Sequence, residues 1–356
     1  MRSTLIIFFC ICVYGASAQP RFISPPGIPY KSWFSNFSFD TKGGLYLLQH
    51  SPSGSQIDYF NGTTWASMNG IKGDPISFHL YGEQLFVLCD VGSGKYYQLM
   101  YSESRDKGWQ MVPVDTLNGY VLDVAMTANG LLAKGRFKDA QGDFYLARWA
   151  DYAWHPLRPT MSADLKQALE KFTALDAVVD KNWNAYFYTW STWPINGIFK
   201  VLVSDGNSIK AVDDNYNTEL TSVVPMSNGK LYGALMRVTP PAMAEWDGNQ
   251  WNKIDCNLDV FRESWIGYVS VNDKDEVFAA GYGKKDSANL VMKYSKGKWQ
   301  TFDTIPGLKI DALFYGNGNL YATSGPNLLI IPGDKNIIVA KTEAKKTALI
   351  PTPKPK

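Results

Sequence analysis

The chain has 356 residues, 45% of them hydrophobic, 14% aromatic and only 19% charged, with 30 Gly and 19 Pro. That length buries a large core without metal or disulfide staples, and the balance excludes both a disordered chain and a helical bundle. Formal charge is +2, and with Arg2 and the Lys-rich end 341–356 set aside the body 19–340 falls near −3, which offers no basic field to nucleic acid.

Met1-Arg2-Ser3-Thr4, the apolar run Leu5 to Tyr14 and the small residues Ala16-Ser17-Ala18 follow the three zones of a secretory leader. Residues 1–18 are therefore expected to be a signal peptide cut near Ala18, followed by an N-terminal extension over 19–32. The mature chain is expected to be secreted, or periplasmic, and to act as a monomer. No later run reaches the ~18 apolar residues of a membrane span. Of the four cysteines, Cys10 and Cys12 leave with the leader, and Cys89 and Cys256 are expected to be free and buried.

Along the body, aromatic residues five apart flank a turn at Phe60-Asn-Gly-Thr-Thr-Trp65, Trp149-Ala-Asp-Tyr-Ala-Trp154, Trp246-Asp-Gly-Asn-Gln-Trp251 and Tyr294-Ser-Lys-Gly-Lys-Trp299. Each reads as a hairpin whose two rings pack across the strand pair. Weaker copies occur at Gly108-Trp109, at Val203 to Ser208 and at Ile331-Pro-Gly-Asp-Lys-Asn336. A second marker, a polar turn opening an apolar strand, recurs at Leu45, Leu85, Leu131, Ala185, Leu231, Val277 and Leu320. Both series step by about 45 residues and share one long interval of 54, between the third and fourth repeats.

Repeats of this size holding four short strands are the mark of β-propeller blades, since one four-stranded sheet cannot cover both its faces. The expected fold is all-β: a seven-bladed β-propeller over 33–340 with four-stranded antiparallel blades. In the fifth blade the strands are read as Leu220–Val224, Leu231–Leu235, Met243–Trp246 and Trp251–Ile254. One short helical insert, Ser162 to Lys171, is placed between blades 3 and 4 by a capping Ser and by Leu165 and Leu169 at i, i+4. Residues 341–356, with Pro351, Pro353 and Pro355, read as a disordered basic Pro/Lys tail. The ring closes either by packing alone, with all seven blades built in chain order, or by an added edge strand within Arg21 to Tyr30.

The aromatic, Gly-containing turn and Trp of these hairpins resemble the secreted seven-bladed propellers of the Kelch-like and sensor-domain type. The resemblance covers about residues 33 to 340 and implies the fold. The chain departs from Kelch in lacking a Gly-Gly pair after the second strand, and from WD40 in lacking Gly-His and a repeated Trp-Asp. No catalytic residue carries over.

Naming the strands of a blade A to D, the D–A and B–C loops form one face, here called the top. On strand A a recurring position holds Asn36, Ser77, Asp123, Asp176, Ser222, Tyr268 and Asp311. Three carboxylates, Asp123, Asp176 and Asp311, are expected at the channel mouth, where they could bind sugar hydroxyls or a Ca-like cation, or simply cap turns. No other cofactor is implied. Trp190 and Trp193, in an aromatic run beside Pro194 and Gly197, are read as a ligand platform in the B–C loop of blade 4, or as rings packed beneath the insert. The sequence therefore points to an exported non-catalytic binding or scaffold propeller that takes an extracellular glycan or protein. An alternative is a polysaccharide lyase or hydrolase using His50, Arg136, Arg237 and Tyr282, with cations neutralising a uronate. A third is a structural or adhesive protein acting through its tail. Of two sequons, Asn36-Phe-Ser38 lies on a channel strand, so Asn61 is the glycosylation candidate in a eukaryotic host.

Overall fold

The computed structural model describes residues 21–331 except 91, 93–96, 113–116, 152, 159–162, 164–165, 167–175, 181, 189–200, 213–219, 236–241, 257–265, 283–287 and 307. It shows seven four-stranded antiparallel sheets, one per blade. Strand A of each blade lies beside strand A of the next, and that of blade 7 lies beside that of blade 1, so the ring is closed. The A strands are Trp33–Phe39, Asp74–Tyr81, Gly119–Thr127, Asp176–Val179, Leu220–Pro225, Ile266–Val271 and Ala312–Gly316.

The C–D hairpins form as their sequences require. Phe60 faces Trp65, Trp149 faces Trp154, Trp246 faces Trp251 and Tyr294 faces Trp299 as direct cross-strand partners. Their ring centroids stand 4.9, 5.2, 5.8 and 5.1 Å apart. In the turns, Asn61 Oδ1 accepts the N–H groups of Thr63 and Thr64 at 2.9 and 2.8 Å, and Asp247 Oδ1 those of Asn249 and Gln250 at 2.8 and 3.0 Å. Gly62 and Gly248 take the positive φ these turns need, 95° and 106°. Asn61 is exposed there. In blade 5 the strands are Leu220–Pro225, Leu231–Leu235, Ala242–Trp246 and Trp251–Asp255, each within one residue of the expected bounds.

Closure follows the edge-strand alternative. Blade 7 takes strands A to C from Ala312–Gly316, Asn319–Ser324 and Asn327–Ile331, and its fourth strand is Arg21–Phe22 from the other end of the chain. Arg21 pairs with Ile330 and Phe22 with Leu329. The expected seventh hairpin at Ile331 to Asn336 is thus corrected: the place beside Asn327–Ile331 belongs to the N-terminal strand, and 332–336 lie outside the described residues. The propeller likewise starts at Arg21, not at residue 33. The seam is packed as well as hydrogen-bonded. Ile23 is buried with Phe34, Leu45, Leu47 and Leu328. Trp65 Nε1 donates to the Ile23 carbonyl at 2.6 Å, and Phe37 stacks on Phe314 at 3.9 Å.

Of the expected insert only Ala163 and Lys166 are described, both helical, so helix is a minor part of the molecule. Cys89, in strand B of blade 2, and Cys256, after strand D of blade 5, are buried and neither is in a disulfide. Burial pushes the Cys89 thiol up to about 12, which leaves it inert as a nucleophile. Among the described residues, no helix is long and apolar enough to cross a membrane.

Because Ile23 joins both ends of the chain in one core, Ile23→Ala should lower stability by about 2–5 kcal/mol, as for other buried Ile→Ala changes. Urea denaturation of the two proteins checks this, and a loss under ~0.5 kcal/mol would mean that the N-terminal strand does not hold the ring.

Candidate functional site

Strand A carries a β-bulge in blades 1, 2, 3, 5 and 6, seen as a register shift against strand B. The extra residue bends the strand and re-aims its side chains. Counted by pairing with strand B, the layer that holds Ser77, Asp123, Asp176, Ser222 and Tyr268 takes Ser35 from blade 1 and Ala312 from blade 7. Asn36 and Asp311 stand one position away. Asn36 is the inserted residue of its bulge, with φ 43°.

The layer is tied together from blade to blade. Ser222 Oγ accepts the Val269 N–H of blade 6 at 3.0 Å. Ser77 of blade 2 approaches Asp123 of blade 3 at 3.5 Å, and His79 Nε2 lies 3.1 Å from Asp123 Oδ1. The same oxygen accepts the Val124 N–H at 2.8 Å. Asp311 instead caps a turn, taking the Gly325 N–H at 2.7 Å, and sits 3.8 Å from the Lys309 ammonium. Of Asp176 the structure describes the backbone alone, at the start of strand A in blade 4.

Opposite Asp123 on strand B of blade 3 is Lys134, whose side chain is fully buried. Burial pulls its pKa down from 10.5 to about 7; Asp123 acts to raise it and Arg136 to lower it further. The amine therefore divides between its two protonation states near neutral pH. A lysine directly after the apolar run Leu131-Leu132-Ala133 is the sequence signal for it, legible only once strand B is paired with the Asp123 strand.

Above this layer, blade 3 extends into a longer B–C arm, Gly130–Asp139 and Gly142–Ala150, broken by a register shift between Lys134 and Phe137. Arg136 lies in that shift. Asn118, Arg136, Phe137, Lys138, Asp143 and Tyr145 line a groove of about 320 Å³ on the top side; Phe137 is buried towards blade 2 and Tyr145 towards blade 4. A hollow of about 460 Å³ lies on the opposite side between blades 4 and 5, lined by Tyr186, Asp205, Lys210 and Trp246 among others.

The other expected residues fall as follows. His50 is in strand B of blade 1, its ring stacked on Trp33 at 4.9 Å. Burial lowers its pKa, against a raising effect from Asp74. Tyr282 ends strand B of blade 6. Trp190, Trp193 and Arg237 lie outside the described residues. His50, Arg136 and Tyr282 thus belong to blades 1, 3 and 6. Among the described residues, no group of three or more His, Cys, Asp or Glu is placed to hold a metal ion.

This architecture defines the class: a seven-bladed β-propeller. It is similar to YCF48 bound to a D1 peptide, with a TM-score of 0.60 and 13% identity over 90% of this chain and 97% of that one. It is also similar to the extracellular domain of a one-component system from B. thetaiotaomicron, with a TM-score of 0.53 and 10% identity over 88% of this chain and 40% of that one. A polysaccharide lyase, an ulvan lyase bound to a GlcA–Rha3S saccharide, gives a TM-score of 0.51 and 11% identity over 88% and 96% of the two chains. No family model matches the chain, and no curated protein matches it. At these identities the likeness establishes the fold alone.

The depressed Lys134 pKa has a sign. The unfolded chain keeps this proton up to about pH 10.5 and the folded one releases it near 7, so across that window the unfolded state binds more protons and stability rises with pH. The cost of burying the ammonium is felt in full below pH 7. Lys134→Met should remove this component: the melting temperature of the wild type minus that of the variant grows more positive from pH 7 to pH 10. Thermal melts across that range test it, and a flat difference would contradict the shift.

Proposed function

We propose that the chain is an exported propeller that binds an extracellular ligand, a glycan or a protein, on its top face, as a monomer. Export rests on the leader pattern of residues 1–18, with cleavage near Ala18. The Kelch-like reading of the blades rests on their aromatic, turn and Trp motif. The observation that carries the binding reading is the groove over blade 3. Tyr145, buried on the blade 4 face of the sheet, lies at its base, with Phe137 of the opposite face beside it, while an amide, a guanidinium, an ammonium and a carboxylate complete the lining. Apolar floors with a few convergent polar groups suit ligands that have flat faces and hydroxyl or carboxylate edges. Trp190 and Trp193, outside the described residues, and the strand A carboxylates Asp123, Asp176 and Asp311 are the further ligand-binding residues of this reading. The task of the groove is to hold a ligand.

Propellers of this fold bind a D1 peptide in one structure and a GlcA–Rha3S saccharide in another, so protein and glycan ligands are both accommodated by the architecture. Screening the purified chain against arrays of glycans and of extracellular proteins should give a ligand. Its affinity should fall about tenfold, roughly 1.4 kcal/mol, in Arg136→Ala and in the Trp190→Ala, Trp193→Ala double variant. Affinity untouched by both changes would place the ligand elsewhere and end this reading.

A further inference from the structure

Blade 1 holds a second group of residues at its top end. Ser35 Oγ lies 2.7 Å from His50 Nε2, and His50 Nδ1 lies 2.9 Å from Ser55 Oγ. Ser55 is itself pinned, because its N–H donates to Asp74 Oδ1 of blade 2 at 2.5 Å. One ring nitrogen thus faces a hydroxyl, while the other is held by a third group that fixes the ring's orientation, which is the relation of nucleophile, base and orienting residue. Trp33 stacks on the imidazole at 17° and stops it from turning, yet it remains 52% exposed. Asn36, outside the ladder at its bulge, brings its side-chain amide to 3.5 Å from Ser35 Oγ. Its Oδ1 accepts from the hydroxyl there; turned over, the same amide would present Nδ2, a donor beside the point where an oxyanion would form.

We propose that Ser35 and His50 form a nucleophile and base pair that hydrolyses carboxylic esters, with the ester's apolar part resting on Trp33. Ser35 Oγ bonds to the carbonyl carbon as its proton passes to His50 Nε2. The tetrahedral oxyanion, facing the Asn36 amide, collapses with rupture of the ester C–O bond, and Nε2 returns the proton to the departing alcohol oxygen. Water then bonds to the acyl carbon as its proton passes to Nε2, the bond from that carbon to Ser35 Oγ breaks to release the acid, and Nε2 returns the proton to Oγ. Burial keeps the His50 imidazole neutral at pH 7, the form that accepts a proton. This goes beyond the binding reading and is independent of it, since none of these residues lines the blade 3 groove.

The test is labelling of the full chain with a fluorophosphonate probe, followed by peptide mass mapping and by p-nitrophenyl acetate turnover. The expected result is an adduct on Ser35, absent in Ser35→Ala and formed at least tenfold more slowly in His50→Phe, which keeps the stack on Trp33 but removes both nitrogens. Ester turnover should fall in parallel while the thermal melts of both variants match the wild type. Absence of an adduct on Ser35 in the folded wild type, or a labelling rate indifferent to His50→Phe, would overturn it. Neither result bears on ligand capture by blade 3.

Discussion

A four-stranded sheet with two apolar faces is stable only between two others, and a row of such sheets has exposed faces at its ends unless it becomes a circle. Everything in this molecule depends on joining the last sheet to the first. The join is made by two backbone pairs, Arg21 with Ile330 and Phe22 with Leu329, and by the buried Ile23 beside them. The short strand contributes few hydrogen bonds, but it commits both chain ends to one sheet. Ring and sheet must then open together.

Inside the circle, the bulges of strand A decide which side chains face the neighbouring blade. They place Ser77, His79 and Asp123 together and set Asp123 opposite a buried lysine. Burying an ammonium beside a carboxylate is costly and adds little net stability compared with an apolar core.

The blades were legible because their C–D hairpins write a tertiary contact into local sequence: two rings five positions apart can meet only across a tight turn. Phe60 and Trp65, or Trp246 and Trp251, needed no knowledge of the rest of the chain. The closing strand left no such trace, since Arg21–Phe22 is too short for periodicity and its partner lies at the other terminus. The bulges were equally silent, because an extra residue in a strand changes no composition. It moved the blade 1 member of the inner layer from Asn36 to Ser35. His50 was noticed only as a candidate base, while Trp33 and Ser55 gained meaning from register, as its direct partners on either side. Arg136, in sequence only a candidate cation for a uronate, sits at a break in the blade 3 arm that composition does not reveal.

The joining of the two ends also governs when the protein can mature. A ribosome makes Ser24 304 positions before Leu328, the residue whose N–H it accepts, so six sheets can assemble one after another while the seventh waits for nearly the whole polypeptide. Contacts of such long sequence separation are slow to form. Until that moment the nascent molecule is an open arc with sticky margins, a state in which it needs protection from its own copies.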